Sequence, residues 1–201
     1  MLVGDRMTRE VIVLAAGATV AEGLGLMNER GVHRLPVVDA EGDLQGIVSD
    51  MDLRIAEAAG RLADPVSSIM TRRVVTVGEY CPLEEAATLM RRKGVGGLPV
   101  VRGNRIIGII TDGDIFDVFA HLLGVGEPGV RLTVAVSAAR STLMTLLNEL
   151  VERGGDIVGL GTVREKDQRL LVVKVGGLTP TQAQQAVEVA GAELLDLLEE
   201  G

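Results

Sequence analysis

The feature that most constrains this chain is that it repeats itself. Gly46-Ile47-Val48-Ser49-Asp50-Met51-Asp52 returns as Gly108-Ile109-Ile110-Thr111-Asp112-Gly113-Asp114. Upstream of each run, Gly31-Val32-His33-Arg34-Leu35-Pro36-Val37-Val38 is echoed by Gly94-Val95-Gly96-Gly97-Leu98-Pro99-Val100-Val101, and Met7-Thr8-Arg9 by Met70-Thr71-Arg72. The offset is 63 residues from Met7 to Met70 and 62 from Gly46 to Gly108, so one residue is lost in the turn after the Pro-Val-Val strand. Three landmarks in one order at one spacing mean two copies of a single supersecondary unit, and that must be settled before any local reading.

Local signals give each copy the plan strand, helix, strand, strand, helix. In the first, Val11 to Leu14 reads as a strand, and Thr19-Val20-Ala21-Glu22 has the spacing of a capping box opening a helix that Gly31 stops. Strands follow at Leu35 to Val38 and Leu44 to Val48, and Asp50 and Asp52 open the last helix. In the second, Val74 to Val77 reads as a strand, Pro82 as the first position of a helix from Leu83 to Arg92, Leu98 to Val101 and Ile106 to Ile110 as a hairpin, and Asp112 to Leu123 as the closing helix. After the linker Gly124 to Gly129 a third unit begins. Strand Val130 to Val136, helix Ser141 to Arg153, a hairpin of Ile157 to Val163 and Leu170 to Val175 around Lys166-Asp167-Gln168, helix Thr181 to Val189 behind Thr179 and Pro180, and strand Glu193 to Leu197 make a split βαββαβ pattern. The expected class is α/β (α+β), with boundaries at 1–62, 63–123, 124–129 and 130–201.

Composition narrows the partners. A formal net charge of −8 leaves no general basic face for nucleic acid, and 1% aromatic residues leave no stacking platform for single strands. The apolar run from Val11 to Ala21 is too short to span a bilayer, lacks a basic leader because Asp5 and Glu10 interrupt it, and has its counterpart in mid-chain. No membrane partner and a cytoplasmic location are therefore expected. Two histidines and one cysteine far apart in sequence offer no metal-ligand pattern, and no nucleophile triad or phosphate loop appears, so a binding protein is favoured over an enzyme. His121 and Cys81 read as structural.

The candidate chemistry lies where each copy passes from strand to helix. Ser49 and Asp52, and again Thr111 and Asp114, place a hydroxyl at the helix start and a carboxylate one turn on. The N–H groups and dipole of a helix start favour an anion, and a carboxylate can accept from the two hydroxyls of a ribose, which together suggest a nucleotide. The same residues are also ordinary caps and first-turn acids. Recurrence of hydroxyl, Asp, any residue, Asp behind the same Gly-Ile strand favours the functional alternative without removing the other.

The hydrophobic-Pro strands at Leu35-Pro36 and Leu98-Pro99, with the two Gly-hydrophobic-Ser/Thr-x-x-Asp runs, resemble a tandem pair of CBS domains over residues 1 to about 123. That resemblance implies a regulatory module binding adenosine-containing ligands in the clefts between its repeats. It implies Thr111 and Ser49 as phosphate-binding hydroxyls, Asp114 and Asp52 as ribose acids, and Gly96, Gly97, Pro99, His33 and Arg34 as cleft borders. Gly96 and Gly97 are expected to open the cleft of Thr111 and Asp114 to the ligand, making it the better formed site, while His33 and Arg34 fill the matching space beside Ser49 and Asp52. The third unit resembles an ACT domain, which implies homodimeric assembly; it carries Ala139-Arg140-Ser141-Thr142 where that family commonly has a ligand-admitting glycine. The whole is similar to the acetoin-utilisation regulatory protein family. The expected role is a sensor of AMP, ADP or ATP that needs no cofactor and acts on a regulated protein; the alternatives are an S-adenosylmethionine sensor and a ligand-free dimeric adaptor.

Overall fold

The computed structural model describes residues 1–136, 140–165 and 168–201, with only the backbone of 140 and 141. The turn expected at Lys166-Asp167 and the Ala139 position of the loop before Leu143 lie outside the described residues. The chain divides into two compact units, Met1–Ile115 and Phe116–Gly201, the division falling within one helix.

In the first unit, α1 (Val3–Arg6), β1 (Leu14–Ala15), α2 (Val20–Arg30), β2 (Arg34–Val38), β3 (Leu44–Ser49) and α3 (Asp50–Ala58) form the first copy. A 3-10 turn at Val66–Ser68, α4 (Leu83–Lys93), β4 (Gly97–Arg102), β5 (Arg105–Thr111) and α5 (Asp112–Leu122) follow. The capping box at Thr19 is formed: its hydroxyl accepts from the Glu22 N–H, while the Glu22 carboxylate accepts from the Thr19 N–H at 2.7 Å. Gly31 (φ 63°) and Gly94 (φ 66°) end α2 and α4 in the left-handed conformation that glycine adopts without strain. The β2–β3 and β4–β5 hairpins share their register and a bulge, Leu35 opposite Val48 and Leu98 opposite Ile110. Five residues separate the last paired positions of the first hairpin, Val38 and Leu44, against four between Val101 and Ile106, which is where the repeat slips by one.

Three expectations shift. The first strand is only Leu14–Ala15, parallel to β2, and its counterpart shrinks to a bridge from Val77 to Val100. The chain meets the sheet edge only there, since Val11, Ile12, Val74 and Val75 are turned into the clefts described below. Pro82 sits one position before α4, with an extended ψ of 140° that leaves its carbonyl to accept from Glu85 and Ala86.

The two copies complete one another. The leader of the second copy packs in the first: Val66 and Met70 belong to the core of Leu24, Leu35, Val48 and Leu53, Val66 donates to the Ala18 carbonyl, and Thr71 pairs with Ile47. Reciprocally, Val3 donates to the Cys81 carbonyl and Thr8 pairs with Ile109. Each leader methionine lies over a glycine of the other copy. A Cβ built on Gly46 would come 2.5 Å from Met70 Sδ and 3.1 Å from the Thr71 carbonyl oxygen, and one on Gly108 would strike Met7 in the same way. Arg9 and Arg72 donate back to the carbonyls of Gly4 and Ser67 within the same leaders. All three residues of the Met-Thr-Arg landmark are thereby accounted for.

In the second unit, β6 (Gly129–Val136), α6 (Arg140–Glu152), β7 (Asp156–Glu165), β8 (Gln168–Gly176), α7 (Pro180–Val189) and β9 (Glu193–Glu200) give an antiparallel sheet of order β7-β8-β6-β9. This is the expected split βαββαβ, ferredoxin-like arrangement. Alternate residues Val130, Leu132 and Val134 of β6 and Leu171, Val173 and Val175 of β8 pack on Leu146 and Leu150 of α6 and Ala183, Ala186 and Val187 of α7. On the other side of β8, Lys174 is 2% exposed and is paired with Glu200 of β9.

Two measurements follow from this packing. Gly46→Ala and Gly108→Ala each force a methionine and a backbone carbonyl apart, so each lowers the unfolding free energy in urea by about 1–3 kcal/mol, whereas the exposed and uncrowded Gly25 tolerates alanine. The hydrogen bond from Lys174 holds the Glu200 carboxyl below the usual carboxylate range. A depressed folded-state value contributes stability that is present above the ordinary carboxylate pKa and lost as pH falls through the folded value. Glu200→Gln should therefore melt below the parent at neutral pH, and the gap between their melting curves should close on acidification.

Candidate functional site

The strand-to-helix junctions form two clefts, and each draws on both copies. One, of about 360 Å³, has Ile109, Thr111, Asp112 and Asp114 on one side and Glu10, Ile12, His33 and Arg34 on the other. The second, of about 290 Å³, has Ile47, Ser49 and Asp52 facing Thr71, Arg73, Val75, Val95 and Gly97. Their volumes lie at the lower end of the range for small-molecule sites. The bridges Thr8–Ile109 and Thr71–Ile47 hold each leader across the sheet of the other copy, which is what creates the clefts.

This crossing corrects the expected pairing. His33 and Arg34 border the cleft of Thr111 and Asp114, while Gly97 borders that of Ser49 and Asp52. The glycines do not leave open room, either. A Cβ on Gly96 would fall 2.5 Å from Arg34 Nη2 and 2.6 Å from Asp112 Oδ2, and one on Gly97 would fall 3.6 Å from Arg34 Cδ. The Arg34 side chain runs along this glycine face, so the space that the sequence suggests for a ligand is filled by arginine. Arg34 in consequence borders both clefts. Pro99 is buried in β4, where its carbonyl accepts from the Val77 N–H at 3.1 Å; it is not among the residues that line either cleft.

At both junctions the hydroxyl and the acid meet. Asp52 Oδ2 accepts from the Ser49 N–H at 2.8 Å and from its hydroxyl at 2.6 Å, and Ser49 Oγ accepts from the Asp52 N–H at 3.2 Å. Thr111 and Asp114 repeat this at 2.7, 2.7 and 3.3 Å. The capping alternative is thus physically present in both copies. It uses one oxygen of each half-buried carboxylate; among the described residues Oδ1 of Asp52 and of Asp114 has no hydrogen bond.

The helix starts differ in what surrounds them. In α5 the first three N–H groups are all engaged, Asp112 with the Gly96 carbonyl, Gly113 with Asp112 Oδ1 and Asp114 with Thr111 Oγ1. In α3 the Asp50 N–H donates to the His33 carbonyl, but the Asp50 carboxylate is drawn away to Arg54 at 2.8 Å, and the Met51 N–H has no partner among the described residues. Glu10 and Arg73, which stand at equivalent positions of the repeat, give the clefts opposite charge. Neither was singled out from the sequence, although both follow the Met-Thr-Arg landmark directly and were legible as a charge reversal between the copies.

Among the described residues no group of three His, Cys, Asp or Glu could hold a metal ion, and no helix is long and apolar enough to cross a membrane. Cys81 is half-buried, and burial pushes its thiol pKa up, away from the thiolate form that reacts.

The CBS domain family profile matches residues 3–59 and 66–121. A CBS domain-containing protein of Dictyostelium discoideum is 37% identical over 136 residues, covering 61% of this chain and 94% of that protein. The L-aspartate semialdehyde sulfurtransferase of Methanocaldococcus jannaschii is 32% identical over 119 residues, 59% of this chain but only 23% of the enzyme. Among solved structures, a Vibrio cholerae protein assigned to acetoin utilization (AcuB) is 33% identical with a TM-score of 0.58, covering 62% of this chain and 94% of that one. The CBS domain pair of protein MJ0100, solved with 5'-methylthioadenosine and S-adenosyl-L-methionine, is 30% identical (TM-score 0.56; 60% and 96%). CBSX2, solved with AMP, is 31% identical (TM-score 0.55; 59% and 95%).

Because each acid also caps a helix, Asp52→Ala and Asp114→Ala should each lower stability by about 1 kcal/mol in urea unfolding while the far-ultraviolet circular dichroism of the folded baseline stays that of the parent.

Proposed function

The chain belongs to the CBS-domain family, and on that premise we propose that it is a regulatory protein that binds an adenosine-containing ligand, AMP, ADP or ATP, in the clefts between its repeats. One observation carries this reading. The same cleft is built twice, each time from a hydroxyl and an acid of one copy and the leader of the other. Helix capping by itself needs no cleft and no crossing of leaders. CBSX2 with AMP and the MJ0100 pair with 5'-methylthioadenosine and S-adenosyl-L-methionine support adenosine as the common element.

In this reading Asp52 and Asp114 receive the ribose hydroxyls through Oδ1, which the capping box leaves unused. Ser49 and Thr111 lie beside the 5' end of the ligand, where a phosphate stands if the ligand carries one, Arg34 supplies charge, and His33 and Gly97 are borders of the crossed clefts. The second unit is an ACT-type domain serving homodimeric assembly or output to a regulated protein, and acetoin utilisation is the physiological setting suggested by the Vibrio cholerae neighbour. Ligand binding changes the packing of the two copies, which requires different affinity for two arrangements of the module. A chemical step has no residue assigned to it, and the protein is a cytoplasmic regulator rather than an enzyme.

Calorimetric titration with AMP, ADP, ATP and S-adenosylmethionine tests the reading, alongside thermal shift. A ligand that binds only the folded form raises the melting temperature by mass action, by the equivalent of about 2.7 kcal/mol at a hundredfold excess over Kd. Saturable heat weakened by Asp52→Ala or Asp114→Ala, beyond what their lowered stability explains, is the expected result. Silence from every ligand on folded, nucleotide-free protein would leave the adaptor as the function.

A further inference from the structure

The two clefts are copies in backbone but opposites in charge. Around Ser49 and Asp52 stand the guanidiniums of Arg34 and Arg73 against the single carboxylate of Asp52. Around Thr111 and Asp114 stand the carboxylates of Glu10, Asp112 and Asp114 against Arg34, with His33 beside them. Neither Arg34 nor Arg73 has a hydrogen bond or ion pair among the described residues; Arg73 is exposed, and the Arg34 guanidinium lies over Gly96 with the Asp112 carboxylate beside it. The helix starts reinforce the difference. At α5 the Asp112 carboxylate occupies the Gly113 N–H, placing a negative charge where a phosphate would approach. At α3 the matching carboxylate is held by Arg54, and the Met51 N–H has no partner among the described residues.

We propose that the clefts divide adenosine ligands by charge: the Ser49–Asp52 cleft takes a phosphate-bearing adenosine, the Thr111–Asp114 cleft takes an uncharged or cationic one, and Glu10 and Arg73 set the division. Arg34 adds a second consequence. As the cation bordering both clefts, it can form a bidentate pair with a phosphate on one side only, so two phosphate-bearing ligands oppose one another across it. The proposal deepens the adenosine-binding reading and rests on it.

The test uses the full chain with AMP as the anionic probe and 5'-methylthioadenosine as the uncharged one. The parent should bind one AMP tightly and accept 5'-methylthioadenosine while AMP is saturating. Arg73→Glu, at an exposed position, should weaken AMP by about tenfold or more with 5'-methylthioadenosine affinity retained. Glu10→Arg, also exposed, should create a second AMP site that opposes the first, and Arg34→Ala should lower AMP affinity in the parent and abolish that opposition when combined with Glu10→Arg. Two equal AMP sites in the parent, indifferent to both charge reversals, would overturn the division while the adenosine reading stands. No binding of either probe to the parent or to any variant would overturn both.

Discussion

The structure depends on an exchange. Each copy sends its leader into the other, and a methionine of the leader fills the space above a glycine at the centre of the receiving hairpin. Neither copy is closed without this: Val66 and Met70 are core residues of a copy to which they do not belong in sequence. The clefts are a by-product of the same geometry. A leader that crosses the partner's sheet at one bridge, Thr8–Ile109 or Thr71–Ile47, leaves its next residues facing the partner's helix start. Stability of the pair and position of the site are therefore set by one contact.

Near-symmetry of backbone makes the departures in side chains informative. The hydroxyl and acid recur in both copies, and in both they cap the helix that follows. Glu10 and Arg73 touch neither core nor cap and are under no such constraint, so they can differ in sign. The position after the leader landmark sets charge, the position two before the strand proline, Arg34 or Gly97, sets how the space between clefts is filled, and the junction itself stays fixed.

Much of the fold was legible from residues alone. The capping box at Thr19, the left-handed stops at Gly31 and Gly94, the slip of one residue in the hairpin turn and the split βαββαβ order all rest on local rules, which act within a few residues and leave a mark in sequence. What was misread depends on which copy faces which. Sequence neighbourhood assigns Gly96 and Gly97 to Thr111 and Asp114, but the leaders cross, and the space above the glycines belongs to Arg34. A strand at Val74 to Val77 was expected from its apolar run, yet residues facing a cleft are apolar for a reason other than pairing. A single copy carries no record of the hand-over between copies, so propensity and periodicity could not supply it.

The seating of Arg34 on a face without side chains also bears on how such sequences diverge. Any β-carbon at position 96 meets the guanidinium, so the two positions, 62 residues apart in the chain, are coupled through the seat of one side chain. A side chain gained at the glycine re-seats the arginine, and with it the cation that both clefts border. Positions 34 and 96 should then vary together across descendants, and the choice of ligand should follow that joint change rather than the junction acids, which are held constant by the helices they cap.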